Sequence, residues 1–201
     1  MTVWAFLADV HGNYGALARA AALATGRGAE RFAVLGDLLG RGQPAECVAW
    51  TRAHAALAVV GNRDLDHLAL VDAADSAYLR GLPTIASADG FLLSHGDARL
   101  TRDLGSADER RGFRRAYAAL TAAGKRLWFF GHTHHARVWR KDAANAPPAL
   151  LPAATASLDL TDPATCYLVN VGTTGRRRAG CGPASFTLWD EATARLERIE
   201  L

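Results

Sequence analysis

The feature that most constrains the fold of this chain is a regular alternation of apolar runs of strand length with segments of helical length. The apolar runs are Val3–Ala8, Phe32–Leu35, Leu57–Val60, Phe91–Leu93 and Leu127–Phe130. The helical segments between them are Tyr14–Thr25, Ala45–His54, Leu65–Arg80 and Ala107–Ala123. Gly124 follows the last segment, as expected for a helix C-terminus. Alternation of this kind predicts an α/β domain with a largely parallel sheet.

The character of the chain changes after Gly131. Short β-like runs follow one another there without a convincing helix, at Ala136–Arg140, Cys166–Val169, Ser185–Trp189 and Leu196–Ile199. They predict a second sheet of mixed or antiparallel strands. Asp142–Pro163 is expected to be an exposed loop, in which Ala149–Leu151 could form a strand. Because no linker and no internal repeat divides the sequence, we expect one domain over residues 1–201.

Composition excludes several classes of protein. Half of the 201 residues are hydrophobic and 21% are charged, which is typical of a globular chain. We expect no signal peptide, no transmembrane span and no membrane partner, because charges or glycines interrupt every apolar stretch. The net charge of +3 favours anionic substrates but falls short of a nucleic-acid-binding footprint. Three widely spaced cysteines predict neither a disulfide framework nor a zinc knuckle, and they favour the reducing cytoplasm.

Polar residues follow each of the five predicted strands. Ligands of an open α/β sheet bind beyond the carboxyl ends of its strands, so we expect these side chains to converge. The convergent residues are Asp9, His11, Asp37, Asn62, His95, His132 and His134. In an extended segment, residues two apart face the same way, which predicts that Asp9 and His11 share a pocket with His132 and His134. His135 has the opposite parity and is expected to be a bystander or an outer group.

Each of these residues also has an ordinary explanation, as a helix cap, a turn residue or a satisfied core histidine. Seven of them at five strand ends is not a pattern that capping produces. One ion needs about three or four protein ligands, so seven suit two ions that share a carboxylate. Nitrogen and oxygen donors favour two divalent ions from Mn, Fe, Zn, Co and Ni, with Mn the first choice.

The arrangement resembles that of the calcineurin-like metallophosphoesterases. Their motifs, in order, are D-x-H, G-D, G-N-H-[D/E], a histidine followed by a small residue, and G-H-x-H. This sequence has Asp9-Val10-His11, Gly36-Asp37, Gly61-Asn62-Arg63-Asp64, His95-Gly96 and Gly131-His132-Thr133-His134. A longer resemblance, to the small single-domain bacterial and archaeal phosphodiesterases, is carried by HGNYGAL, GDLLGRGQPAECV and NVGTTGRRR.

The resemblance implies a fold, a ligand set and a chemistry. The fold would be a four-layer α/β/β/α sandwich of two mixed sheets flanked by helices. One metal ion would take Asp9, His11, Asp37 and His134, and the other would take Asp37, Asn62, His95 and His132. A hydroxide that bridges the two ions would attack the phosphorus of a small-molecule phosphoester or nucleotide. The implied activity is that of a metal-dependent phosphoesterase, and most specifically a phosphodiesterase.

Arg63 departs from the family pattern, because many relatives have histidine at this position. That histidine is taken to assist the leaving group as a proton donor or an electrostatic stabiliser. Arginine cannot donate a proton near neutral pH, but it can hold positive charge against a departing oxygen. Asp64 could orient Arg63 through a paired hydrogen bond. We therefore assign Arg63 and Asp64 as catalytic residues and expect a preference for diesters with good leaving groups.

Three further residues are considered as substrate contacts. Asn13 opens the first helix, where backbone N–H groups could face an anion, although an ordinary N-cap is an equally good explanation. Arg63 would contact the phosphoryl group. Arg176, the first of three successive arginines, could clamp a second phosphate, unless the three form a solvated basic loop.

Other functions are compatible with the same motifs. A phosphoprotein or nucleotide phosphatase, or a nuclease, would use the same site. A metal-binding interaction scaffold without catalysis is also considered, since a eukaryotic retromer subunit resembles this fold. None of the family's metal ligands is replaced by another residue type in this sequence, which favours an enzyme. The sequence is also compatible with a homo-oligomer.

Overall fold

The computed structural model describes residues 2–96, 107–142, 149–151, 157–175 and 180–201, and it contains two β-sheets with helices on their outer faces. The strands are β1 (Val3–Leu7), β2 (Arg31–Val34), β3 (Ala55–Ala58), β4 (Ile85–Ser87), β5 (Phe91–Ser94), β6 (Leu127–Phe130), β7 (Arg137–Lys141), β8 (Ala149–Leu150), β9 (Ser157–Asp159), β10 (Cys166–Asn170), β11 (Ser185–Asp190) and β12 (Arg195–Glu200). The helices are α1 (Tyr14–Gly26), α2 (Pro44–His54), α3 (Asn62–Asp66), α4 (Ala73–Gly81) and α5 (Ala107–Ala122), with a 3₁₀ turn at Leu68–Leu70.

The two sheets are both mixed. The first has the strand order β3-β2-β1-β11-β12-β9, in which β1, β2 and β3 are parallel and β11 is antiparallel to β1. The second has the order β4-β5-β6-β10-β7-β8, in which β5, β6 and β10 are parallel. The amino-terminal strand β1 therefore lies in the interior of the first sheet, where Val3 pairs with Asp190.

Both faces of the first sheet are buried, and the alternation of side chains along β1 shows how. Trp4 and Phe6 face the second sheet, and Phe6 stacks on Phe129 of β6 with ring centroids 3.8 Å apart. Ala5 and Leu7 face the opposite way and belong to the apolar cluster that includes residues of α1 and α2. A strand that is apolar at every position is expected when both faces of its sheet are covered.

The second sheet repeats this arrangement with one covering helix. Leu127 and Phe129 of β6 face the first sheet, whereas Trp128 and Phe130 pack with Phe113 and other residues of α5. The order of layers is thus helices, first sheet, second sheet, helix. The α/β fold with two mixed sheets, expected from the family resemblance, is confirmed.

The expected distribution of strands between the sheets is wrong. The five apolar runs do not share one sheet, because β1, β2 and β3 lie in the first sheet and β5 and β6 lie in the second. The strands after Gly131 are likewise divided, with β7, β8 and β10 in one sheet and β9, β11 and β12 in the other. The strands β1, β6 and β10 have apolar side chains on both faces, so hydrophobic patterning does not reveal which sheet such a strand joins.

The single helix predicted over Leu65–Arg80 is also wrong. Val71 is extended (φ −134°, ψ 166°) and interrupts the segment, and Asp72 then caps α4 by accepting a hydrogen bond from the Asp75 amide at 2.8 Å. An aspartate favours such a cap because its carboxylate satisfies a free N–H at the helix start. The expected loop Asp142–Pro163 contains the short strands β8 and β9. Within the described ranges, no helix combines the length and the apolar character needed to cross a bilayer.

Candidate metal centre

The loops that follow β1, β2, β3, β5 and β6 meet at one end of the two sheets and bring all seven predicted ligands together. Backbone hydrogen bonds fix these loops to one another: the Asp9 amide donates to Gly36 and the Gly131 amide donates to His95, at 3.1 and 2.8 Å. The His132 amide donates to Asp9 Oδ2 at 2.8 Å and so links the two sheets. The predicted convergence is therefore produced by strand ends of two sheets rather than of one.

One group of donor atoms consists of Asp9, His11 and His134, which are all buried. His134 Nε2 lies 3.2 Å from Asp9 Oδ1 and 3.1 Å from His11 Nε2, and His11 Nε2 lies 3.7 Å from Asp9 Oδ1. Asp9 Oδ1 is inaccessible to solvent and, among the described residues, it has no hydrogen-bond partner, despite these short distances. Three donor atoms thus point at a common centre.

A second group lies beside the first and consists of Asp37, His95, His132 and Asn62. His95 Nε2 is 3.4 Å from Asp37 Oδ1 and 3.1 Å from His132 Nδ1, which in turn is 3.0 Å from Asn62 Oδ1. Asp37 Oδ2 is also 3.8 Å from His11 Nε2 of the first group. Asp37 therefore lies between the two groups of donors.

The chemistry of these donors fits divalent metal ions. Two pairs of imidazole nitrogens face each other at 3.1 Å, and such a pair repels unless one nitrogen carries a proton. A buried carboxylate oxygen without a hydrogen bond is costly unless a cation is its partner. A Cβ on Gly131 would lie 2.6 Å from Asp9 Oδ2, so the chain also makes room for this carboxylate. All the donors are nitrogen or oxygen, which suits Mn, Fe, Co, Ni or Zn.

The backbone at the site is left-handed rather than extended. Five ligand residues have positive φ: Asp9 (55°), His11 (52°), Asp37 (55°), His132 (69°) and His134 (65°). The expectation that residues two apart share a pocket through extended geometry is therefore wrong in its premise. Asp9 and His11 still converge, whereas the rings of His132 and His134 enter different groups. Such conformations cost roughly 1 kcal/mol or more each and are concentrated at functional sites.

The histidines and the carboxylates of the centre shift one another's pKa. Burial alone would lower the pKa of His95, but the carboxylates of Asp37 and Asp9 outweigh it and raise this pKa to about 9. Burial would raise the pKa of Asp9, but contacts with His11 and His134 outweigh it and lower this pKa. The ion-free protein thus retains protons on imidazole that a bound cation would displace.

Asp64 does not pair with the side chain of Arg63, so the expected orienting contact is wrong. The Asp64 carboxylate is fully buried and accepts four backbone hydrogen bonds. The donors are the amides of Asp37 and Gly61 to Oδ2, and those of Leu38 and Leu39 to Oδ1, at 2.7–2.9 Å. Burial raises the pKa of Asp64 against the effect of these bonds. Asp64 thereby holds together the two loops that carry Asp37 and Asn62.

Arg63 lies at the edge of the centre. Its amide donates to Asp37 Oδ1 at 2.8 Å, so the peptide of Arg63 orients the central carboxylate. The guanidinium is about half exposed, and its Nη1 lies 3.8 Å from Asp66 Oδ2 one turn later in α3. The side chain therefore combines positive charge with access to solvent.

Asn13 is the N-cap of α1. Its Oδ1 accepts from the Ala16 amide at 3.1 Å, and its Nδ2 donates to the Gly175 carbonyl at 2.8 Å. Both polar atoms of the amide are thus engaged within the protein, as the N-cap interpretation predicts. Arg176, and with it the proposed clamp of three arginines, lies outside the described residues.

His135 belongs to neither group of donors. Its Nε2 lies 3.3 Å from Cys181 Sγ, and its amide donates to Thr133 Oγ1. The bystander interpretation of this histidine agrees with its position.

Residues at the end of β10 and just after it support the centre, a role that the sequence motifs did not predict. Asn170 Nδ2 donates to the Gly131 carbonyl and to Thr133 Oγ1, both at 2.8 Å, and Thr173 Oγ1 donates to the Asp9 carbonyl at 3.0 Å. These bonds fix the loop that follows β1 and the loop that follows β6, both of which contain predicted ligands. Both residues belong to the block NVGTTG, which is the sequence signal for this supporting role.

Known proteins are similar to this chain in sequence and in structure. The family model of the calcineurin-like phosphoesterase superfamily domain matches residues 1–193. A metallophosphoesterase from Sphaerobacter thermophilus is similar in structure, with a TM-score of 0.76 and 26% identity over 99% of this chain and 88% of that chain. A comparison with curated proteins finds no match.

Two more distant structures share the fold. An archaeal phosphodiesterase has a TM-score of 0.62 at 14% identity, with 99% of each chain covered. The phosphoesterase Yfce from E. coli has a TM-score of 0.53 at 17% identity, with 98% of each chain covered.

Proposed function

The chain belongs to the calcineurin-like phosphoesterase superfamily, and from that premise we propose that it is a phosphodiesterase with a dinuclear metal centre. The observation that carries the proposal is the position of Asp37, whose two oxygens lie 3.4 Å from His95 Nε2 and 3.8 Å from His11 Nε2. A carboxylate between two sets of donors is what a pair of ions with a shared ligand requires.

The proposed ligand sets follow the two groups of donors. Asp9, His11, Asp37 and His134 would hold one ion, and Asp37, Asn62, His95 and His132 would hold the other. When bound, two such ions would supply Lewis acidity toward the phosphoryl oxygens and toward the attacking water. The donor set does not choose among Mn, Fe, Zn, Co and Ni, and Mn is our first choice for assay.

The chain's own residues would orient the substrate and offset its charge. The guanidinium of Arg63 is about half exposed and lines the same cleft as His11, and it would hold positive charge against a phosphoryl or leaving-group oxygen. It cannot donate a proton near neutral pH, which favours diesters whose leaving group departs as a stable anion. General acid catalysis contributes about 10²–10⁴-fold where it operates, so alkyl monoesters should be poor substrates.

The test compares substrates in the presence of Mn²⁺. The panel contains bis(p-nitrophenyl) phosphate, p-nitrophenyl phosphate, an alkyl phosphomonoester, cyclic nucleotides and dinucleotides. We expect turnover of the diesters and little turnover of the alkyl monoester. Turnover of monoesters alone would favour a phosphatase. Bound metal without turnover of any member would favour the scaffold interpretation.

The Asp37→Asn variant tests the shared ligand. It keeps the shape of the side chain and the oxygen that accepts from the Arg63 amide, but it removes the charge that attracts both ions. We expect activity on bis(p-nitrophenyl) phosphate to fall by at least about 10²-fold and the bound metal to fall toward one equivalent, with the fold retained. Metal content by elemental analysis and far-UV circular dichroism check these outcomes.

The matched control is Asp89→Asn, which makes the same chemical change at an exposed residue outside the centre. It should retain parental activity and metal content. Full activity in Asp37→Asn, or in a thoroughly chelated sample, would rule out the dinuclear proposal. A single domain over residues 1–201, a small-molecule or nucleotide substrate and a cytoplasmic location stay predictions from the sequence.

A further inference from the structure

A cleft of about 940 Å³ opens beside the metal centre, on the side of His11. Its walls include a metal ligand, two arginines, an aromatic ring, a second histidine and an exposed leucine. These are His11, Arg41, Arg63, Tyr14, His67 and Leu70. A cleft of this volume is large enough for a ligand much bigger than one phosphate group.

The backbone of Arg41 is held rigidly against the metal centre. The segment Gly40–Gly42 lies between β2 and α2 and packs on the peptide of His11 and Gly12. A Cβ on Gly12 would come within 2.7 Å of the Arg41 carbonyl oxygen, so only glycine allows this approach. The Gln43 amide donates to the Gly12 carbonyl at 2.8 Å and closes the contact. The backbone of Arg41 therefore has a fixed position next to His11, a predicted metal ligand.

The side chain of Arg41 is exposed, and within the described part of the chain it makes no hydrogen bond and no ion pair. Among the residues that the structure describes, no carboxylate therefore neutralises its charge. Arg63 lines the same cleft, and its Nη1 lies 3.8 Å from Asp66 Oδ2. The lining of the cleft thus includes two guanidinium groups, to which bound ions would add positive charge.

We propose that the substrate carries a second anionic group besides the reacting phosphate, and that Arg41 binds this group. This inference rests on the proposed function. The substrate class is a phosphodiester of a nucleotide that bears a further phosphate. Guanidinium binds phosphate oxygens in pairs and matches them better than an ammonium does. Tyr14 and Leu70 supply the apolar surface against which a nucleoside can pack.

The test uses two substrates with the same reacting group. Thymidine 5′-(p-nitrophenyl phosphate) is compared with the same compound carrying a 3′-phosphate, so both release p-nitrophenolate. With Mn²⁺ present, the parent should show a kcat/KM roughly tenfold higher for the 3′-phosphorylated ester, as expected for one partly exposed charged hydrogen-bonding contact. Arg41→Ala should abolish this preference and Arg41→Lys should retain part of it, while raised salt should weaken it. Arg19→Ala, an exposed arginine of α1 outside the cleft, should keep the full preference.

A binding measurement makes the inference independent of turnover. Titration calorimetry compares thymidine 3′,5′-bisphosphate with thymidine 5′-monophosphate on the parent and on Arg41→Ala. A preference for the bisphosphate that depends on Arg41 would support the inference even if no diester is hydrolysed, in which case the proposed function alone fails. Equal binding of the two compounds, or a preference that survives in Arg41→Ala, would overturn the inference and leave the proposed function intact.

Discussion

At the scale of single residues, Asp64 shows how a buried charge can organise a site without belonging to its ligands. Its two oxygens accept four backbone N–H groups from the loops of Asp37 and Asn62. The sequence places Asp64 two positions after a ligand, which suggested a catalytic partner for Arg63. Only the folded chain reveals its acceptor role, because three of the four donors come from a loop about 26 residues earlier.

We predict that Asp64→Asn destabilises the protein. The amide nitrogen would face backbone N–H donors and leave buried groups without acceptors, so the free energy of unfolding should fall by about 2–4 kcal/mol. Urea unfolding of the metal-free protein measures this change. Asp66→Asn, on the exposed face of the same helix, should change stability by no more than about 0.5 kcal/mol. Equal stability of the two variants would show that the four hydrogen bonds contribute little.

The convergence of the seven predicted ligands could be predicted from the sequence. Each of them lies within four residues of the end of its strand, so the strand ends bring them together. The left-handed backbone of Asp9, His11, Asp37, His132 and His134 was not predictable in this way. Nothing local favours it in histidine, and contacts with other loops impose it.

At the scale of elements, the ends of the strands position the residues of the site. The close approach of these ends also limits which side chains fit there. The end of β6 approaches the end of β1 closely enough that Gly131 has room only for hydrogen. A Cβ there would lie 2.6 Å from Asp9 Oδ2 and 2.7 Å from the Ala8 Cβ. The two sheets are thus in contact at the position where the donors meet.

We predict that Gly131→Ala weakens metal binding by displacing the Asp9 carboxylate. Overpacking of this kind costs about 1–3 kcal/mol of stability. A Mn²⁺ binding isotherm and thermal unfolding measure both effects. Gly26→Ala at the end of α1, where no atom lies within 4 Å of the added carbon, should leave metal binding unchanged and stabilise by up to about 1 kcal/mol. Parental Mn²⁺ affinity in Gly131→Ala would contradict the role of this contact.

Elements with clear boundaries in sequence were predicted well. Leu127–Phe130 is a strand as expected, and α1 and α2 begin and end within one residue of the predicted limits. The segment after Asn62 was misjudged because its helical periodicity masks a break at Val71 and a cap at Asp72. The strands β4 and β9 have three residues each, too few for periodicity to be recognised.

At the scale of the whole molecule, the metal centre joins the two sheets at one end while an aromatic cluster joins them in the middle. Phe6 stacks on Phe129 across the interface, and Phe91 meets both rings edge-on. The ligands come from both sheets, so bound ions would add attraction between layers that hydrophobic packing already holds together. The existence of two mixed sheets followed from the family resemblance. The assignment of each strand to its sheet did not follow from patterning, since both sheets are apolar on both faces.

We predict that divalent metal stabilises the entire fold. A ligand at one hundred times its Kd adds about 2.7 kcal/mol, which for a chain of this size corresponds to a rise in Tm of roughly 5–10 °C. Scanning calorimetry with Mn²⁺ and with chelator measures the rise. His95→Ala should show a smaller rise, because it removes a ligand of the second group. Identical midpoints with Mn²⁺ and with chelator would contradict a structural contribution from the ions.

The pairing of β1 with β11 has a consequence for folding during synthesis on the ribosome. Trp4 and Glu191 are hydrogen-bonded although 187 positions separate them, so this edge of β1 can pair only after β11 has been synthesised. At a ribosomal speed of about 5–20 residues per second, that interval is roughly 10–40 s. During it, one edge of the apolar strand β1 stays open, and an open edge of this kind is prone to aggregation. The block that braces the ligand loops emerges just before β11, so the nascent chain completes its sheet and its metal centre almost together. We therefore expect stable metal binding only after the residues that brace the ligand loops have been synthesised.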